Sequence, residues 1–209
     1  MSGNLYIVSA PSGAGKTSLV AALLDADPLV RKSVSYTTRA PRPSEVNGRE
    51  YNFVGRDAFD RMRAQGEFIE SALVHGNLYG TSHRWLSARL AEGQDILLEI
   101  DWQGAAQVRR LHAQTVGIFI LPPSYSALTA RLNNRATDPA EVIAERLQNA
   151  RAEMAHLVDF DYVIINQDFD CAAQELAAIV VAERLRRTRQ TERHRELIEH
   201  LLHEPPQTA

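Results

Sequence analysis

Near the amino terminus the residues from Ser9 to Leu19 read Ser-Ala-Pro-Ser-Gly-Ala-Gly-Lys-Thr-Ser-Leu. They match the phosphate-binding pattern G-x-x-x-x-G-K-[ST] at every constrained position but the first, where Ala10 stands for glycine. The chemistry explains the residue types. Gly13 and Gly15 let the backbone through Pro11, Ser12 and Ala14 turn until several N–H groups point inward, and a helix starting here adds the positive end of its dipole. Such a cradle holds anionic oxygen. Lys16 can then reach the β- and γ-phosphates of a nucleotide, and the Thr17 hydroxyl can ligate the Mg²⁺ that bridges them.

The elements that must hold this loop lie on either side of it. Leu5-Tyr6-Ile7-Val8 is a short apolar run that predicts a strand, and the apolar-periodic segment Leu19 to Leu24 predicts a helix. Ile96 to Asp101, Val116 to Leu121 and Tyr162 to Ile165 are nearly continuous apolar runs, the pattern of strands buried on both faces. Gly104 to His112 has the character and length of a crossover helix. Ser124 can cap a helix through Arg135, and Asp138-Pro139-Ala140-Glu141 is a start signal for another that runs to about Leu157. Asp170 opens a last long helix.

Between the first helix and Ile96 the chain is more polar. Arg31 to Arg42 reads as an extended basic segment with a role other than core packing, and Tyr51 to Val54 as a short strand. Asp57 can cap a helix from Ala58 to Gln65, Glu67 to Val74 reads as a strand, and Gly76 to Gly80 as a turn. Ser82 can cap a helix from His83 to Glu92. Strands alternating with helices argue for an α/β fold, with a parallel sheet core, helices on both faces and a mixed α+β insertion over residues 35–82.

The chain has 209 residues, of which 44% are hydrophobic and 23% charged, enough to bury a proper core. A net charge of -3 argues against a polyanion-binding coat, so a phosphate site must be built locally, and no nucleic acid is expected as partner. A single cysteine, Cys171, excludes an internal disulfide and suits a reducing compartment. With no basic, apolar leader and no membrane-length apolar run, the expectation is a cytoplasmic protein without a membrane partner. In the tail, Leu197, Ile198, Leu201 and Leu202 form an apolar stripe at helical spacing, which must pack on the body or on another subunit; the expected state is a monomer or a homo-oligomer through this helix.

Four patterns now stand in order: the phosphate loop, Ser35-x-Thr37-Thr38-Arg39-x-x-Arg42 with Tyr51, Gly76-Asn77-Leu78-Tyr79-Gly80, and Glu99-Ile100-Asp101-Trp102-Gln103-Gly104. Together they closely resemble guanylate kinase, the bacterial enzymes in particular, from about Asn4 to Arg187. The resemblance implies a P-loop nucleoside monophosphate kinase fold that transfers the γ-phosphoryl of ATP to GMP, and to dGMP, with Mg²⁺. It divides the chain into a core of residues 4–34, 83–125 and 151–187, a GMP-binding insertion of 35–82, a short helical lid of 126–150 and a helical tail of 188–209.

Physically, a monophosphate acceptor brings a dianion and a base with a polar edge. Arg39 and Arg42 can fork onto phosphate oxygens, with the Tyr51 and Tyr79 hydroxyls completing the clamp. Guanine offers two N–H donors on one edge, which suits the Glu70 carboxylate beside the Ser35 and Thr81 hydroxyls, while Asp101 can accept from the exocyclic amine. The resemblance implies these same roles. It also implies that Ala10 to Ser18, Arg131 and Asn166 contact ATP, that Lys16, Arg39, Arg135 and Arg146 gather charge on the transferring phosphoryl, and that Glu99 and Asp101 meet the Mg²⁺ of Thr17 through water. Glu99 stands where many members have Asp.

Two other readings compete. A binding module of the same fold would lack an intact loop, against Gly15-Lys16-Thr17 and Arg39; a kinase for another small phosphate would lack the set Ser35, Glu70, Thr81 and Asp101.

Overall fold

The first apolar run forms β1 (Leu5–Ser9), buried along its whole length, and the glycine-rich loop carries it into α1 (Lys16–Ala26). Then follow β2 (Val30–Lys32), β3 (Tyr36–Thr37), β4 (Asn52–Phe53), α2 (Arg56–Ala64), β5 (Phe68–Val74), β6 (Asn77–Ser82) and α3 (His83–Ala91). The chain continues through β7 (Asp95–Glu99), α4 (Trp102–Leu111), β8 (Val116–Leu121), α5 (Tyr125–Asn133), α6 (Ala140–Met154), a 3₁₀ turn (Ala155–Asp159) and β9 (Tyr162–Ile165). It ends in α7 (Phe169–Arg184), α8 (Arg187–Arg193) and α9 (Arg195–His203). The structure, a computed structural model, describes residues 2–74, 76–133 and 140–203.

Five parallel strands form the core sheet in the order β2-β7-β1-β8-β9. Both faces are covered, which is why its inner strands read as continuous apolar runs. On one face Tyr6, Val8 and Leu97 pack against Leu19 and Leu23 of α1 and Leu176 and Val180 of α7. On the other, Ile7, Ile96 and Leu98 meet Leu86 and Leu90 of α3 and Val108 of α4. The glycine-rich loop and the Glu99–Asp101 segment leave the carboxyl ends of adjacent strands, where open α/β sheets receive ligands.

A second sheet, ordered β4-β3-β6-β5, is built from the polar insertion. Its edge strand β5 is closed by a core side chain: the Ser71 N–H donates to Gln107 Oε1 at 3.1 Å, and Gln107 Nε2 donates to the Ser71 carbonyl at 3.0 Å. The insertion is thereby fastened to α4, next to the helix start at Asp101.

The basic segment does begin extended: Arg31 and Lys32 continue the edge strand beside β7, with Arg31 exposed and Lys32 half-buried after the buried Val30. Several local expectations change. Gly55, not Asp57, caps α2; Asp57 lies in the first turn, where its charge favours the helix dipole. Only Gly76 makes the turn expected over Gly76–Gly80, since Asn77–Ser82 is a full strand paired with β5. Gly80 is needed there because a Cβ would come within 3.0 Å of Phe59 and Phe68. Asp168 rather than Asp170 caps α7, accepting from the Cys171 N–H at 2.9 Å. The helix through Leu157 ends at Met154 and tightens into the 3₁₀ turn. Ser124 does cap α5, while Arg135 and the Asp138-Pro139 start signal lie outside the described residues. Most of the tail stripe is uncovered: Leu197, Leu201 and Leu202 are exposed, and Ile198 is half-buried. Among the described residues no helix is long and apolar enough to cross a membrane.

Candidate active site

A cleft of about 250 Å³ lies between the two sheets, with the glycine-rich loop and the end of β7 on one wall and β5 and β6 on the other. The loop is shaped from within. Gly13 and Gly15 have φ of 91° and 96°, the left-handed region that side chains rarely tolerate. A Cβ on Gly15 would also come within 2.3 Å of Asn166 Nδ2, whose amide donates to the Ala14 carbonyl at 2.8 Å. Arg131 adds a second brace, donating to the carbonyls of Ala14 at 3.3 Å and Asn166 at 2.9 Å. With these carbonyls tied back, the first turn of α1 has neither a side-chain cap nor an acidic residue, so its N–H groups and dipole are open to an anion. Ala10 is accommodated because its methyl packs on the core cluster under the loop.

Cations and a carboxylate meet just beyond. Lys16 Nζ donates to the Ile100 carbonyl at 3.3 Å, and the Thr17 hydroxyl donates to Glu99 Oε1 at 2.5 Å. Lys32, from edge strand β2, pairs with the other Glu99 oxygen. Burial would push the Glu99 carboxyl up, but Lys16, Lys32 and the two hydrogen bonds outweigh it and hold the group below the usual range. The extra methylene of Glu99 thus still reaches the threonine of the loop.

On the far wall, a register shift between Phe68 and Glu70 re-aims β5. Ile69 and Glu70 are consecutive yet both buried, Ile69 in the core and Glu70 at the cleft, only 3% exposed. The Thr81 hydroxyl donates to Glu70 Oε1 at 2.6 Å and lies 3.3 Å from the Ser35 hydroxyl. Gly104 makes room for this carboxylate, since a Cβ there would stand 2.8 Å from Glu70 Oε2. Burial pushes the Glu70 carboxyl up to about 7 despite the Thr81 bond, with the nearby Asp101 charge adding to the rise. Asp101 accepts from the Gly104 N–H at 2.9 Å and so starts α4 at the rim of the same cleft.

Tyr51 and Tyr79 line the cleft as well, whereas neither Arg39 nor Arg42 is among its lining residues. The Arg39 guanidinium lies 5.4 Å from the Tyr51 ring centre and donates to Glu45 Oε1 at 2.8 Å. Glu45 Oε2 accepts from the Arg42 N–H at 2.8 Å, while the Arg42 side chain is largely exposed, 3.8 Å from Glu45. Burial raises the Tyr51 phenol to about 12, so it stays a hydroxyl that can donate.

A glycine-rich loop with an open helix start thus faces a buried carboxylate flanked by hydroxyls. The guanylate kinase family model matches residues 2–183. The chain belongs to the guanylate kinase family. It is 56% identical over 202 residues to the guanylate kinase of Methylobacillus flagellatus, covering 97% of this chain and 100% of that protein. To the guanylate kinase of Aromatoleum aromaticum it is 58% identical over 194 residues, 93% of this chain and 95% of that one. The crystal structure of guanylate kinase from Anaplasma phagocytophilum superposes with a TM-score of 0.80 at 34% identity, covering 98% of this chain and 97% of that one.

Of the residues that the guanylate kinase resemblance singles out, the structure gathers the loop, Ser35, Tyr51, Glu70, Tyr79, Glu99 and Asp101 around one cleft, with Thr81 buried behind Glu70. Arg131 and Asn166 brace the loop and do not line the cleft; Ser18 is exposed in the first turn of α1. Arg146 lies half-buried on α6, and Arg135 falls outside the described residues. Sequence reasoning missed Lys32, Glu45, Gln107 and Glu153. Each is an ordinary charged or amide residue in a polar stretch, and only the fold brings it to its partner.

Proposed function

We propose that the chain transfers the γ-phosphoryl of ATP to GMP, giving ADP and GDP, with residues 35–82 as the acceptor lobe, 126–150 as the lid and the rest of 4–187 as the core. The observation that carries this is Glu70: a buried carboxylate, bonded to Thr81, sharing one cleft with an intact phosphate loop. Guanine presents two donors to such a carboxylate, whereas adenine presents an acceptor. Ser35, Thr81 and Asp101 complete the base site; Arg39, Arg42, Tyr51 and Tyr79 receive the acceptor phosphate. The loop from Ala10 to Ser18 seats the ATP phosphates. Lys16 and the lid arginines, Arg135 and Arg146, stabilise the charge of a loose transition state, in which positioning does most of the catalysis. A cytoplasmic location and association through the exposed α9 stripe fit this reading.

The oxygens at Thr17 suit Mg²⁺: a hydroxyl beside the Glu99 carboxylate, which the neighbouring Lys16 and Lys32 amines keep ionised. Thr17, with Glu99 and Asp101, would hold the ion, which would supply charge neutralisation for the phosphoryl group being transferred. Coupled detection of ADP formation should give GMP-dependent turnover that chelation of Mg²⁺ by EDTA abolishes; GMP-independent ADP release at the same rate would contradict it.

Two further expectations follow from the acceptor side. Because guanine bonds to the ionised carboxylate and Glu70 in the ligand-free protein titrates at about 7, binding must expel a proton at lower pH. Guanosine affinity should fall about tenfold from about pH 8 to about pH 6, while Glu70→Gln shows no such slope; calorimetry in two buffers reads both the affinity and the proton. Glu45→Gln loosens Arg39 and the Arg42 backbone, so the KM for GMP should rise roughly 3- to 10-fold with the KM for ATP nearly unchanged. Steady-state titration of each substrate separates the two.

A further inference from the structure

Glu153 stands in the last turn of α6 and lines the cleft. Its Oε2 accepts the Ser12 backbone N–H at 3.3 Å, across a sequence separation of 141 residues. Ser12 lies in the glycine-rich loop immediately before Gly13, so this N–H is a donor of the anion cradle itself. A carboxylate oxygen is the protein group most like a phosphate oxygen as an acceptor of such a bond.

The fold brings this carboxylate to the loop from two directions. The Tyr125 hydroxyl on α5 donates to the Leu147 carbonyl of α6. Beyond α6, the His156 ring stacks on Trp102, with ring centres 3.5 Å apart and planes within 8°. Trp102 follows Asp101 directly, so the end of α6 is held between the loop and the start of α4.

We propose that Glu153 is a placeholder for phosphate: with no nucleotide bound it occupies the Ser12 amide, and the phosphate chain of ATP must displace it to seat in the loop. This rests on the reading of the loop as the ATP site. Two consequences set its sign. The competent, uncovered loop is only a fraction of the molecules, so the apparent affinity for the phosphate chain is lowered by that fraction. An arriving polyphosphate also repels the carboxylate at short range, which helps the exchange once it begins.

Calorimetric titration of the whole chain tests it, with three probes: Mg²⁺ and a β,γ-imido analogue of ATP, inorganic tripolyphosphate, and GMP. The proteins are wild type, Glu153→Gln, which removes the charge, and Glu153→Asp, which keeps the charge but draws it back by one methylene. Both variants should bind the ATP analogue and tripolyphosphate about 3- to 10-fold more tightly than wild type, with GMP affinity within about twofold. If Gln tightens binding and Asp does not, the carboxylate acts through space and does not occupy Ser12, and the placeholder is overturned. Unchanged or weaker polyphosphate binding in both variants overturns it as well. A wild type that binds neither the analogue nor tripolyphosphate would instead remove the assignment of the loop, a separate failure.

Discussion

Lys16→Met lowers kcat by a factor of about 10² to 10³, the usual cost of one preorganised charge contact on a transition state, while GMP binds as before. The lysine is the first residue of α1, its amine 3.3 Å from the Ile100 carbonyl and its neighbour Thr17 bonded to Glu99, so it belongs to the phosphate-loop end of the cleft, where the proposal seats ATP. Methionine keeps the length and apolar contacts of the stem and removes only the charge. Rapid-quench measurement of the chemical step, together with calorimetric titration of GMP, separates the two effects. A mutant that kept more than about a third of the wild-type rate would leave no role for this amine in catalysis.

Glu70→Gln cuts kcat/KM for GMP about 10²-fold and leaves the KM for ATP within about twofold. In the structure Thr81 donates to one Glu70 oxygen, so a glutamine there keeps its carbonyl on Thr81 and turns its N–H₂ towards the base. Two donors then face each other where guanine requires an acceptor. The carboxylate is only 3% exposed, so water cannot relieve the mismatch. Steady-state kinetics with each substrate varied in turn reads the effect, and an unchanged GMP value would move base recognition away from Glu70.

The parts of this molecule that were legible in the sequence are those in which residue type alone carries the physics. Gly13, Gly15 and Lys16 announce an anion cradle because no other types permit that backbone and that reach. The buried strands announce themselves as apolar runs, and β8 and β9 begin and end as expected, but β9 is an edge strand whose Val163 and Ile165 are exposed and not buried on both faces. Caps and turns were less legible, since Asp57 and Asp170 are as good cap residues as the ones used. β6 was hidden because Gly80 is there for the packing of Phe59 and Phe68 and not for a turn. The supporting residues of the site could not be read at all. Lys32 meets Glu99 across 67 positions, Gln107 meets Ser71 across 36, and Glu153 meets Ser12 across 141, with nothing in the local sequence to mark the pairing. Glu45 lies nearer, 6 positions from Arg39, but in a loop where an acid beside arginines reads as ordinary surface charge.

Acceptor choice tests the central claim most directly. ADP formation would be measured with GMP, AMP, UMP, CMP and dTMP as acceptors, each to a full kcat/KM at fixed, saturating ATP and Mg²⁺. A base site built on Glu70, Thr81 and Ser35 leaves two or three groups unpaired with adenine, each costing about 1 to 3 kcal/mol. GMP should therefore exceed AMP by roughly 10⁴, with the pyrimidine nucleotides no better than AMP. AMP used within about tenfold of GMP would contradict the account, because a buried carboxylate committed to guanine's donors could not serve both bases.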